Sequence, residues 1–275
     1  MRQFVLDSQR FDEALDDLHS LRDFMRFAMT AFSEYEVHYG HGTDNALDEA
    51  AYLLLQALHL PADLESHWLD ARLCRSERVH LAELLRKRCI ERIPTAYLVN
   101  RAWFAGLEFR ADARALVPRS PLAELITQGF APWVDSEQVH SILDLCTGGG
   151  SIGLACAHYF PAAHVDAVDL SDDALELAAE NRLALQLEDQ VELLRGDLFA
   201  PVVGRSYDII VSNPPYVDVR DMRELPAEYL HEPRMALAAG EDGLDIVRRI
   251  LREAPMYLEP EDRKSTRLNS SHVSQ

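Results

Sequence analysis

The sequence predicts an α/β protein whose Rossmann-like, mostly parallel, doubly wound sheet follows an N-terminal helical domain, and three observations carry this. Strand-like apolar runs alternate with helical stretches from Ser141 onward. A glycine-rich turn, Gly148-Gly149-Gly150-Ser151-Ile152-Gly153, separates the first of those runs from the helix after it. The first hundred residues instead repeat apolar positions at helical spacing. The expected boundaries are a helical domain over 1–100, a hairpin and linker over 101–135, the α/β domain over 136–262, and a non-native or disordered tail over 263–275.

In chain order, a helical stretch is expected from about Phe11 to Phe32, through Leu15, Leu18, Leu21 and Met25. The acids between Asp7 and Asp17 read as its solvated face. Leu47, Ala50, Ala51, Leu54, Leu55 and Leu58 form one stripe of a second helix, with Thr43 and Asp44 as caps and Pro61 beyond its end. A third helix runs from about Arg75 to Cys89. Trp103, Phe104, Leu107 and Phe109 around Gly106 read as a hairpin. Val117-Pro118-Arg119-Ser120-Pro121 is then an extended linker, because each proline biases its predecessor away from helix. Four strands follow, over Ser141–Cys146, His164–Asp169, Val191–Leu194 and Tyr207–Ser212. A helix from Ser171 to about Leu185 opens on Ser171, Asp172 and Asp173, where a cap and negative charge are favoured. Such a sheet carries its ligand at the strands' C-terminal ends.

Charge narrows the partners. With 27 Lys and Arg against 46 Asp and Glu, the net charge of −19 disfavours a phosphate backbone and attracts a basic protein. No apolar run reaches the roughly 18–20 residues of a membrane span, and no leader precedes the first helix. Cys74, Cys89, Cys146 and Cys156 show neither CxxC pairing nor metal spacing, which predicts reduced thiols and a cytoplasmic address. His38 and His41 lie close together, but nothing near them completes a zinc site, and no metal is expected.

Two motifs carry chemistry. The glycine loop allows a tight turn and lets a ligand approach the backbone, while Asp169, closing the second strand, can accept both hydroxyls of a ribose. That pair alone suits nicotinamide, flavin or S-adenosylmethionine sites. Asn213-Pro214-Pro215-Tyr216 decides among them. An amide or exocyclic amine nitrogen is a poor nucleophile because its lone pair is delocalised. Acceptors on both N–H groups, here the Asn213 side-chain oxygen and the Pro214 carbonyl, orient the nitrogen and steady the developing positive charge. The prolines stiffen the corner, and Tyr216 can pack flat on the planar group.

Asp144-Leu145-Cys146-Thr147-Gly148-Gly149-Gly150 together with Asn213-Pro214-Pro215-Tyr216 resembles the class I S-adenosylmethionine-dependent protein glutamine methyltransferases, the HemK-like family. One branch modifies release factors and another a large-subunit ribosomal protein. Arg92-Ile93-Pro94-Thr95-Ala96-Tyr97-Leu98, Ala102-Trp103-Phe104, Tyr39-Gly40-His41-Gly42-Thr43-Asp44-Asn45 and His231-Glu232-Pro233-Arg234 are similar to the ribosomal-protein branch. So is Val117-Pro118-Arg119-Ser120-Pro121, where the release-factor branch has a Pro-Arg-Pro-Glu-like run. The resemblance implies that Asp144, Cys146, Thr147, Gly148, Gly149 and Gly150 bind the methionine side of S-adenosylmethionine and Asp169 its ribose. It implies that Asp197 and Leu198 flank adenine, and that Asn213, also beside the cofactor, receives the glutamine amide with Pro214, Pro215 and Tyr216. The helical domain would recognise the substrate protein, and Glu232-Pro233-Arg234 is either part of a substrate channel or a plain turn. Release-factor or nucleic-acid amine methylation is the alternative reaction.

The family's sheet has seven strands, whereas four are visible here. The helix expected from about Leu244 to Tyr257 leads to nothing strand-like, and residues 263–275 resemble an adapter-derived scar. The expectation is a chain lacking its last strands, with the fourth strand as an exposed edge. A non-catalytic remnant is the reading from another class.

Overall fold

The computed structural model describes residues 8–259, so the tail expected over 263–275 lies outside the described residues. Those residues divide into two units: one reaches to Arg101 and includes Pro226–His231, and the other holds Ala102–Leu225 and the chain from Glu232 onward.

The first unit is helical: α1 (Ser8–Asp17), α2 (Leu21–Glu34), α3 (Ala46–Ala57), α4 (Arg75–Arg86) and α5 (Thr95–Val99). Phe24, Phe32, Leu53, Leu54, Leu81 and Leu85 form its core. The single helix expected from Phe11 to Phe32 is two. Ser20 takes extended dihedrals, its side chain accepts the Asp23 N–H, and Asp23 Oδ2 accepts the Ser20 N–H at 2.9 Å. This capping box restarts the helix although the apolar stripe continues through the break. The cap of α3 is Asn45, which accepts the Asp48 N–H at 2.9 Å, rather than Thr43 or Asp44; Thr43 instead donates to Glu49. Helix α4 gives way at Lys87 to a wider π-turn over Lys87–Glu91, ending at Arg92 with φ 62°. That turn faces Arg88 inward: its side chain is 1% exposed, Nε bonds Glu49 Oε1 at 2.6 Å and Nη1 bonds Glu228 Oε1 at 3.2 Å.

The second unit opens on an antiparallel hairpin, β1 (Ala102–Phe104) with β2 (Leu107–Phe109). Then come α6 (Leu122–Thr127), β3 (Ser141–Leu145), α7 (Ser151–Tyr159), β4 (His164–Asp169), α8 (Asp172–Ala184), β5 (Val191–Arg195), β6 (Ile209–Ser212) and α9 (Asp245–Glu253). The sheet order is β5-β4-β3-β6, parallel throughout, as the alternating runs predict. Both faces are covered. Ile142, Val165, Ala167 and Val211 pack with Leu154 and Ala155 of α7, while Leu143, Leu145 and Val168 pack with Phe199 and with Ile250 of α9. Burial on both sides is why these strands read as continuous apolar runs.

One expectation is corrected at the sheet's edge. The segment after α9 does begin to pair: Leu258 bridges Tyr207 in parallel, with Tyr207 N–H donating to Tyr257 O at 2.8 Å and Glu259 N–H to Tyr207 O at 3.0 Å. The start of the fourth sheet segment is therefore covered on that side. Among the described residues no helix is long and apolar enough to cross a membrane.

Candidate active site

The C-terminal ends of all four strands open onto one cavity of about 270 Å³ in the second unit. Its floor is the loop after β3. There the chain reverses through left-handed dihedrals at Cys146 (φ 59°), Gly148 (φ 57°) and Gly150 (φ 86°). The loop is pinned by two hydrogen bonds to neighbouring elements. Thr147 N–H donates to Val168 O at 3.0 Å, and Asn181 Nδ2 donates to Gly149 O at 2.9 Å.

Asp144 lies behind the loop, is not among the residues that line the cavity, and supports the loop. The fully buried carboxyl group accepts the Thr147 hydroxyl at 2.6 Å and the Gly153 N–H at 2.8 Å through Oδ2, while Oδ1 has no hydrogen-bond partner among the described residues. Burial pushes its pKa up to about 7 against the pull of those two donors, and nearby Asp169 adds to the rise. The folded chain thus holds a proton that the unfolded chain releases near 3.8. Stability from this group is full below that value and falls as pH rises towards 7. Asp144→Asn removes the dependence: thermal melts at pH 5 and pH 8 should show the variant gaining on wild type at the higher pH. An unchanged gap would mean that Asp144 is ionised throughout.

Gly150 is also outside the lining. A Cβ there would come within 2.9 Å of Leu154 and 3.2 Å of Ala178, so this glycine lets the loop enter α7 beside α8. Cys146, Thr147, Gly148 and Gly149 do line the cavity. Burial, with the charges of Asp169 and Asp144, raises the Cys146 thiol to about 12, which keeps it protonated and unreactive.

Asp169, at the end of β4, reaches the same cavity. Its Oδ2 accepts the Gly148 N–H at 2.8 Å and Oδ1 the Ser171 N–H at 2.9 Å, so the carboxylate is aimed by two backbone donors and each oxygen retains acceptor capacity. After β5, Leu198 is buried in the lining in a left-handed conformation (φ 52°), while Asp197 is exposed there and bonded to Arg249 at 2.9 Å. After β6, Asn213 and Pro215 line the cavity; Pro214 and Tyr216 do not. Among the described residues neither the Asn213 carboxamide nor the Pro214 carbonyl has a hydrogen-bond partner. Two half-buried acceptors are thus left uncommitted at the end of a rigid strand.

Sequence reasoning missed part of the wall. Arg114–Ser120 and Pro233, Met235, Ala236 and Ala238 also border the cavity; in sequence the first segment reads as a linker, and the second, around Glu232-Pro233-Arg234, as either part of a substrate channel or a plain turn. The ion pair that joins these two segments, Arg119 with Glu232, spans 113 positions and leaves no local signal in the sequence. At the strands' other ends, His164, Asp166 and Glu192 approach one another, but Arg205 Nη1 already sits 2.7 Å from both carboxylates.

A cavity over a glycine loop, with a carboxylate closing the second sheet strand, is common to nicotinamide, flavin and S-adenosylmethionine sites, and similarity to known proteins makes this one a methyltransferase of the class I fold. The family model for the methyltransferase small domain matches residues 126–247. Curated relatives extend over most of the chain. A ribosomal protein uL3 glutamine methyltransferase from Xanthomonas campestris is 53% identical over 89% of this chain and 79% of its own length. Those from Bordetella pertussis and Neisseria meningitidis serogroup B are 51% and 47% identical, over 88% and 91% of this chain and 82% of their own lengths. The chain belongs to the ribosomal protein uL3 glutamine methyltransferase family.

Proposed function

We propose that this enzyme methylates the side-chain amide nitrogen of a glutamine in ribosomal protein uL3, with S-adenosylmethionine as donor. The observation that carries it is the pair of unpartnered acceptors, Asn213 and Pro214, at the rim of a cavity suited to a nucleoside. The relatives' printed substrate supports the same reading. Cavity and donor set fit the cofactor: Cys146 to Gly149 would hold its methionine side, Asp169 its ribose, and Leu198 with Asp197 its adenine. The bound cofactor supplies an electrophilic methyl on a sulfonium.

The chain's own residues do the rest. The Asn213 oxygen and the Pro214 carbonyl each accept one amide N–H, which fixes the nitrogen's orientation and stabilises the positive charge that grows on it. Pro215 walls the site beside them, and Tyr216 would pack flat on the planar amide. No side-chain base is assigned; the surplus proton leaves to solvent. A chain of charge −19 favours encounter with a basic ribosomal protein over a phosphate backbone. The cysteines among the described residues are unpaired, which fits the cytoplasm, where ribosomal proteins are made.

The test is transfer of labelled methyl into purified uL3, release factor and RNA, assayed side by side. The expected result is label in uL3 alone, abolished when its target glutamine becomes leucine. Label only in release factor or RNA would overturn the substrate assignment.

A further inference from the structure

The two wall segments that the catalytic reading leaves without a role are joined by one buried carboxylate. The Glu232 side chain is completely out of solvent. Arg119 grips it with both terminal nitrogens, Nη1 to Oε1 at 2.8 Å and Nη2 to Oε2 at 2.6 Å. The same Oε1 accepts the Val117 N–H at 3.0 Å. From Glu232 the chain continues as a strap. Val217, the residue after Tyr216, donates its N–H to Leu237 O at 2.8 Å and accepts the Ala239 N–H at 2.9 Å. Farther along, a Cβ on Gly243 would come 2.3 Å from the Tyr216 carbonyl oxygen, so the strap's continuation packs directly on that backbone.

We infer that Glu232 and Arg119 are a positioning pair: their clamp fixes the strap over 232–239, and the strap fixes the Asn213–Tyr216 corner that presents the two acceptors. The inference rests on the reading of that corner as the amide site. A bidentate guanidinium–carboxylate pair sets both distance and plane. A slipped arrangement would strand Glu232 without its partners in a dry interior, which penalises every alternative register. The consequence is catalytic, because a misplacement of about 1 Å in a reacting group costs on the order of a hundredfold in rate.

The experiment uses Glu232→Gln, Arg119→Lys and the double variant of the full chain. Hydrogen exchange is followed at the Val217 and Ala239 amides, with those of Ile142 to Leu145 in β3 as a control for global folding. Methyl transfer to uL3 and calorimetric binding of S-adenosylhomocysteine are measured alongside. In both single variants exchange at Val217 and Ala239 should quicken about tenfold or more while β3 stays protected. The kcat should fall roughly ten- to a hundredfold, by more than cofactor affinity weakens, with the double variant no worse than the poorer single. Unchanged exchange at the two amides, or quickened exchange with wild-type kcat, overturns the positioning role. Exchange rising equally in β3 in both singles also overturns it, since the pair would then merely hold the unit together. Failure of the substrate reading is separate: wild type would leave uL3 unlabelled, and exchange would still decide the clamp.

Discussion

Asn213→Ala should lower kcat for uL3 methylation by about a hundred- to a thousandfold, the scale on which removal of one preorganised polar group from a reaction centre acts. Affinity for S-adenosylhomocysteine should stay within a few-fold of wild type, because the glycine loop, Asp169 and Leu198 are untouched. The asymmetry follows from position. Asn213 is half-buried at the end of β6 with no hydrogen-bond partner among the described residues, so its truncation leaves no orphaned internal donor there and little stability is lost. Steady-state rates on uL3 together with cofactor calorimetry check both halves. Equal losses in kcat and cofactor affinity would make Asn213 a cofactor ligand and no more.

Arg88→Met should destabilise the helical unit by about 3–5 kcal/mol, read as a shift in urea midpoint. Arg88 lies among Glu49 Oε1, Glu228 Oε1 and the His38 carbonyl, all within 3.2 Å; the two carboxylates are buried and the third acceptor is backbone. Methionine keeps part of the aliphatic stem but none of the donors, and leaves Glu49 dependent on Thr43 and Thr95 and Glu228 on Arg92 and the His38 N–H. Burial pushes the Glu228 carboxyl up, but the His38 N–H and the Arg88 and Arg92 guanidiniums outweigh it and hold the group below its ordinary value. Its contribution is therefore present above the unfolded carboxyl's pKa and lost as pH falls through the folded one. The deficit of Arg88→Met should accordingly shrink in acid. A deficit near zero at neutral pH would mean that water, not Arg88, satisfies the two carboxylates.

Local pattern made the sheet and much of the cavity readable. Ile142 to Leu145, Val165 to Val168 and Ile209 to Val211 are short apolar runs bounded by turn residues, and the helices between them predict parallel pairing, whereas the order β5-β4-β3-β6 is implied only by the family resemblance. The cavity-lining part of the glycine loop and Asn213 were likewise visible because they follow strands directly, Asp169 because it closes one, and Leu198 only through the family resemblance. What escaped depends on partners distant in sequence or on a single backbone choice. Arg119 and Glu232 are 113 positions apart, and neither local motif announces the other. Glu49 reads as the polar side of α3 until Arg88, turned inward by the π-turn, meets it. The capping box at Ser20 breaks a helix whose apolar spacing runs on, and one bridge at Leu258 is too short to show a strand period. Asp144 and Gly150 belong to the recognised motif yet serve the loop from behind, a distinction that only burial and packing reveal.

A crystal structure with S-adenosylhomocysteine and the glutamine-bearing segment of uL3 bears most directly on how this enzyme works. The expected complex has the carboxamide nitrogen within about 3.2 Å of both Asn213 Oδ1 and the Pro214 carbonyl oxygen, on the side of the cavity that faces the cofactor's sulfur. A glutamine amide held elsewhere, with those two oxygens turned to solvent, would contradict the account.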